Sequence, residues 1–484
     1  MQDKSTFLSI TEIKKRILSS FMSLTARQIA LRAISFITLN IVLARILPVE
    51  TLGIFNIATA VITFFAFFSD IGLAASLIQK KESVTSEDVK TVFTIQQIVV
   101  VILSLAILLG APAIGNFYKL DESGIWLVRV LGFSFFLSSL KVVPSVLLER
   151  ELRFQPLVVV EIVETLIFNI LLILLVTKDL GIWSFSIAAL SRGIVGTILI
   201  YILAPAKIGF QINKESARQL LSFGIPYQAN SFLAVLKDRL VPLVIARMVG
   251  PVGIGYITWA QAMAFLPLEV MNIVIRITFP AFSRLQDNKE VLGKAVEKSL
   301  FATSLLVYPA LFGLGAILPS VVAYVVSPKW QQAVPSFYLF AFSTFWAVIS
   351  TTFTNTLNAT GYIKTTLKLM ILWTTLTWLL TPLFVVIYGF IGVAMASFII
   401  SFTSVITIIL AKKILVIKVL DAVVLPTIAS LIMAIVIFGF SQIFVRNFLT
   451  LILAISLGGF IYFGIIILFK KELVLDNLRS LRSA

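Results

Sequence analysis

Fourteen windows of about twenty apolar residues follow one another along the chain, and they constrain its fold more than any other feature. They cover residues 24–47, 51–78, 90–112, 124–148, 156–177, 180–204, 222–249, 252–280, 297–319, 333–357, 365–387, 389–411, 422–444 and 447–469. In a bilayer no water satisfies backbone N–H and C=O groups, so segments of this length are expected to cross as helices. Composition agrees: the 484 residues are 59% hydrophobic and 13% charged, against about 25% charged in soluble proteins. Mean hydropathy is +1.05. The expected class is an all-α integral membrane protein with about 14 transmembrane helices. The chain contains neither Cys nor His, which excludes disulfides, thiol nucleophiles and imidazole chemistry. No metal site, cofactor or catalytic residue is expected. No small-residue cleavage site precedes the first window, so no removable signal peptide is expected. Residues 7–24 instead line up Phe7, Ile10, Ile13, Ile17, Phe21 and Leu24 opposite Lys15 and Arg16, the pattern of a helix lying on the membrane surface.

The formal net charge is +16, and its placement explains it. Counted loop by loop, 24 Lys and Arg residues fall on one side of the membrane; Lys119, Lys178, Lys329 and Arg446 fall on the other. The rich side is cytoplasmic by the positive-inside rule. Both termini are therefore expected on the cytoplasmic side, with residues 178–180 and 387–390 outside. The basic surplus reflects topology, and no nucleic-acid partner is implied.

The sequence also repeats at a period of about 202 residues. ARILPVETLGIF (44–55) returns as ARMVGPVGIGYI (246–257), aligning Arg45 with Arg247 and Gly53 with Gly255. Six spans return the chain to its starting side, so the halves are expected to be parallel copies about an axis along the membrane normal. The expected layout is an N-lobe (1–213) of six helices, a C-lobe (214–413) of six more, and a segment (414–484) with two further helices and a cytoplasmic tail. Gly53, Gly72, Gly253 and Gly255 near span ends are expected to let helices pack closely.

At these residues the chain resembles a known family. LARILPVETLGIFNIATA (43–60), FSDIGLAASLIQ (68–79), LLERELRF (147–154) and FPAFSRLQ (279–286) are similar to the Wzx-type polysaccharide flippases of the multidrug/oligosaccharidyl-lipid/polysaccharide exporter superfamily. The resemblance implies a flippase that carries an oligosaccharide repeat unit on undecaprenyl pyrophosphate across the membrane. It also implies a central cavity lined by spans 1, 2, 7 and 8.

Those spans carry polar residues on independent grounds. SFLAVLKDRLVPLVIARM (231–248) places Lys237, Asp238 and Arg239 side by side within a span. At about 100° per residue, Asn230, Tyr227, Ser231 and Gln228 join them on one wide polar side. Span 2 aligns Asn56, Thr59, Thr63 and Asp70; span 8 aligns Thr258, Gln261, Glu269, Asn272 and Arg276. Span 1 aligns Thr25, Gln28, Arg32 and Ser35, and span 4 aligns Ser134, Ser138, Lys141 and Ser145. Charges this deep mark a hydrated pathway or pair with one another. The expected substrate-binding set is Arg32, Asp70, Lys141, Lys237, Asp238, Arg239, Glu269 and Arg276. Glu161 and Glu164 can pair with Lys141 or the Arg150/Arg153 loop, and Arg129 and Arg192 read as structural. Eight intramembrane cations against five acids leave a basic cavity suited to pyrophosphate.

Two other readings compete. A cation-coupled multidrug exporter shares the fold but favours unpaired carboxylates. A membrane polymerase or ligase needs a sizeable external loop with catalytic groups, and the external connections here are short. No GxxxxGK[ST] motif is present, so ATP hydrolysis is not indicated. Expected partners are the lipid-linked anionic oligosaccharide, membrane lipids, a coupling ion (H+ or Na+), and polysaccharide polymerase and chain-length machinery.

Overall fold

The computed structural model describes residues 30–482, apart from 81, 83, 152, 206–207, 231–234 and 236–238. The expected surface helix at 7–24 lies outside the described residues, as do Lys237 and Asp238. Every regular element among the described residues is helical. In chain order these are α1 (residues 30–46, with a π-turn at Thr38–Val42), α2 (Val49–Phe67), α3 (Leu73–Gln79), α4 (Ser86–Tyr118), α5 (Glu122–Ser139), α6 (Val142–Arg150), α7 (Phe154–Val176), α8 (Trp183–Leu203) and α9 (Lys214–Asn230). There follow α10 (Val241–Phe265), α11 (Leu268–Arg284), α12 (Lys289–Ser320), α13 (Val334–Ala359), α14 (Ile363–Tyr388), α15 (Ile391–Ser401), α16 (Ser404–Lys412), α17 (Val419–Phe444) and α18 (Phe448–Arg482).

Among the described residues, 12 helices are long and apolar enough to cross a membrane. Twelve of the fourteen expected windows overlap them one for one. The remaining two belong to the first span and to the stretch 222–280, where undescribed residues interrupt the helices. The chain is a multi-pass membrane protein. Its exposed large apolar side chains, such as Leu109, Ile435, Phe460 and Leu468, suit a lipid rather than a water surface.

Element ends follow from local chemistry. Thr85 accepts from the Asp88 amide (3.1 Å), and the Asp88 carboxylate accepts from the Thr85 amide (2.9 Å), a reciprocal cap that starts α4. Asp121 caps α5 through the Gly124 amide and Asn288 caps α12 through the Val291 amide. The two repeat copies end their first spans by different means. Pro48 stops α1, with Leu47 held extended before it. In the second copy Gly250, at φ 70° and ψ −177°, breaks the helix within α10 just ahead of Pro251; a backbone of that shape suits only glycine.

By its contacts the chain forms two compact units. One comprises residues up to Leu47 and Ile57–Arg239; the other comprises Pro48–Asn56 and Leu240 onward. In the first unit, the Ser76 hydroxyl donates to the Leu220 carbonyl (2.7 Å) and the Gln228 amide to the Phe67 carbonyl (2.6 Å), tying α9 to α2 and α3. A Cβ at Gly72 would overlap the Gly224 backbone. In the second unit, α12 and α17 pack against α13 and α16 around Leu292, Val296, Leu300, Tyr308, Val348, Phe353 and Ala411. The segment 48–56 packs there too: a Cβ at Gly53 would overlap the Pro251 carbonyl, and one at Gly255 would press on Val49. These glycines do permit close packing, as expected. Asn56 donates to Thr258 (2.8 Å) across 202 positions, one repeat period.

Burial separates inner from outer helices. The most apolar window of α10 is 56% buried, whereas that of α14 is 11% buried. α14 therefore presents most of its surface outward and α10 lies inside.

Candidate functional site

Three charged residues meet at mid-depth in the first unit. Lys141 sits at the junction of α5 and α6, Glu164 in α7 and Arg192 in α8. At 1.5 Å per residue, Glu164 and Arg192 lie roughly 14–15 Å from the nearer ends of their helices, about half of a ~30 Å hydrocarbon layer. The Lys141 ammonium contacts Glu164 Oε1, and Arg192 Nε lies 3.7 Å from Glu164 Oε2. The Arg192 guanidinium also stands over the Phe168 ring, 5.9 Å from its centre.

The surrounding packing builds this cluster deliberately. Ser134 of α5 donates to the Ala189 carbonyl (3.0 Å) and Thr197 of α8 to the Leu137 carbonyl (2.9 Å), joining the two helices that carry the cations. Gly196 makes room for the acid, since a Cβ there would overlap the Glu164 carboxylate. Elsewhere in the unit Asn169 donates to Ser35 of α1 (3.2 Å), and Arg129 stacks over Trp126 at 4.7 Å.

Of the expected set, Lys141 is thus gathered with two residues read from sequence as secondary. The pairing of Lys141 with Glu164 is one of the alternatives the sequence left open. Arg32 and Arg239 are exposed residues of the same unit. Asp70 is a correction. It was aligned with Asn56, Thr59 and Thr63 on one helical stripe, but α2 ends at Phe67. Asp70 lies in the following turn, where its carboxylate accepts from the Ala74 amide (3.0 Å) and caps α3. The helical count of about 100° per residue does not extend through that turn.

In the second unit Glu269 and Arg276 share α11, with Asn272 donating to Glu269 (3.3 Å). Arg276 is exposed. Their stripe does not continue straight from Thr258 and Gln261, because α10 ends at Phe265 and α11 starts only after Leu266 and Pro267. Asn355 donates to Thr278 (3.1 Å), joining α13 to α11. No group of three or more acidic residues placed to hold a metal occurs among the described residues. The chemistry available is electrostatic: guanidinium and ammonium donors, with acids that temper them.

Sequence reasoning set Arg192 aside because no polar stripe surrounds it on α8. Its partners, Glu164 and Phe168, come from α7, and helical periodicity within one segment carries no signal of that.

Comparison with known proteins places this geometry in context. The profile of the family described as polysaccharide biosynthesis protein (Polysacc_synt_3) matches residues 42–335. Lipopolysaccharide biosynthesis protein WzxC of Escherichia coli (strain K12) is 26% identical over 302 residues, 61% of this chain and 60% of that protein. Succinoglycan biosynthesis transport protein ExoT of Rhizobium meliloti (strain 1021) is 26% identical over 316 residues, 64% of this chain and 62% of that protein. The matched region thus spans about three fifths of these relatives. The solved structure of lipid II flippase MurJ in an inward closed conformation superimposes with a TM-score of 0.73 at 16% identity, covering 95% of this chain and 100% of that one. At that identity the likeness is one of fold.

Proposed function

The chain belongs to the polysaccharide biosynthesis protein family, and on that premise we propose that it flips a lipid-linked oligosaccharide across the bacterial cytoplasmic membrane. The cargo in this reading is an oligosaccharide repeat unit on an undecaprenyl pyrophosphate carrier, destined for a cell-surface polysaccharide. The observation that carries the proposal is the charge gathered at mid-depth, Lys141, Glu164 and Arg192, in a chain of this family. Ionised groups are expensive in hydrocarbon and mark polar cargo pathways.

The transport step makes and breaks no covalent bond in the cargo. Two six-span lobes rock about the repeat axis, so that the pathway opens to one side at a time. Cations along it replace the water that a pyrophosphate loses on entering. Arg32, Arg239 and Arg276 supply forked donors for its oxygens, and Lys141 and Lys237 act as point charges. Asp238 and Glu269 keep the empty pathway from holding too much positive charge. Both termini lie on the cytoplasmic side in this reading.

The test is complementation. In bacteria lacking their own exporter, lipid-linked repeat units accumulate on the cytoplasmic leaflet; introducing this chain should clear them and restore surface polysaccharide. If the units persist while a membrane-inserted chain confers resistance to cationic drugs, the reading is wrong and the chain is a drug exporter.

A further inference from the structure

The cluster of Lys141, Glu164 and Arg192 contains more positive charge than a structural ion pair needs. Lys141 and Glu164 already neutralise each other through direct contact, and Glu164 is almost fully buried, its side chain 5% exposed. Arg192 adds a second cation. Its Nε lies 3.7 Å from Glu164 Oε2, beyond hydrogen-bond range. Among the described residues, no hydrogen bond uses the Arg192 guanidinium. The side chain is nevertheless 50% exposed at mid-depth in a membrane span.

On the Arg192 side of α8, Phe185, Ala188, Ala189 and Gly196 are buried, whereas Ile187, Ile194 and Ile198 on the far side are exposed. An arginine there, with free N–H donors, needs water or an anion as acceptor. The cluster carries a formal charge of +1, and one negative group from outside would bring it to zero.

We propose that Glu164 is a built-in counter-anion: it holds Arg192 in place while the site is empty and yields it to a phosphate or carboxylate of the cargo. The inference rests on the flippase reading for the identity of the cargo. It makes Arg192 a binding residue and Glu164 a positioning residue that competes with the ligand. Lys141 anchors Glu164 from the opposite side, so the carboxylate stays in place when Arg192 changes partner. Gly196 leaves space for the acid. A bidentate grip on an oxyanion by the freed guanidinium is stronger than its present single-atom approach to Glu164. The internal competitor weakens that grip, which suits a site that must release what it binds.

The sign of one substitution separates this role from a structural one. On purified protein in lipid nanodiscs, calorimetric titration with inorganic pyrophosphate, and separately with glucuronate, reads the affinity. Glu164→Gln should bind at least one of these anions tenfold or more tightly than the wild type, because the competitor is gone. Arg192→Gln should bind it tenfold or more weakly. The double variant Lys141→Met/Glu164→Gln removes one charge of each sign and still frees Arg192, so it should bind more tightly than the wild type but less tightly than Glu164→Gln, which keeps the Lys141 charge; if Glu164→Gln does not fold, this double variant decides. Tightening for pyrophosphate alone assigns the site to the carrier's phosphates, and tightening for glucuronate alone assigns it to an acidic sugar. Unchanged or weaker binding of both anions by the folded variants overturns the proposal. Because binding is read on isolated protein, a flat result leaves the export reading standing, and failed complementation leaves the binding order standing.

Discussion

Asp70 caps α3 through the Ala74 amide, so its side chain has an acceptor role that does not require charge. Asp70→Asn should keep most of the stability, since Asn caps as well as Asp, whereas Asp70→Ala should lose about 0.5–2 kcal/mol. Thermal unfolding of the purified variants measures both. If Asn and Ala are equally damaging, the cap is not what Asp70 contributes. Arg276, exposed on α11, calls for the opposite logic. If it grips a pyrophosphate, Arg276→Lys should retain part of the export because charge remains while the fork is lost. Arg276→Glu should abolish export with membrane levels unchanged. Full export by a well-expressed Arg276→Glu would remove this residue from the cationic pathway. Single residues of this kind were readable as candidates from their type and depth. Their partners were legible only in part: the pairing of Lys141 with Glu164 was one open alternative, but Arg192 comes from a third segment, and the spacing between segments carries no information about rotation or register.

At the level of helices, the glycines make opposed predictions according to what surrounds them. A Cβ at Gly53 would overlap the Pro251 carbonyl, while one at Gly110 on α4 would meet nothing within 4 Å. Gly53→Ala should therefore destabilise by roughly 1–3 kcal/mol through overpacking. Gly110→Ala should be neutral or stabilising by about 0.5–1 kcal/mol, the helix propensity difference. Melting temperatures in detergent distinguish them, and equal shifts would contradict the close packing of segment 48–56. Helix existence was legible because twenty apolar residues permit few alternatives in a bilayer. Helix continuity was less so. α2 stops at Phe67 and α11 begins only after Pro267, yet apolar residues run through both breaks. Hydropathy therefore registers a single long window where the backbone turns.

For the whole molecule, the absence of cysteine makes the orientation directly measurable. With no background thiols, single cysteines replacing Lys178 or Tyr388 should react with a membrane-impermeant maleimide in intact cells, and Leu285→Cys should react only after the membrane is opened. Labelling of position 285 from outside would invert the topology drawn from the positive-inside count. The expectation of two copies rests on a dozen residues at 44–55 and 246–257, where Ala44, Arg45 and Gly53 recur as Ala246, Arg247 and Gly255. The rest of the repeat has drifted beyond direct reading.

The hydrogen bond from Asn56 to Thr258 joins positions one period apart. In a pair of identical halves, a seam at this position would set a residue facing its own twin, where each substitution is felt on both sides at once. Two identical residues facing across a two-fold have no fixed direction: neither is the giver. Here an amide gives and a hydroxyl receives. The bond therefore has a fixed sense, and exchanging the two residues, Asn56→Thr with Thr258→Asn, would reverse it.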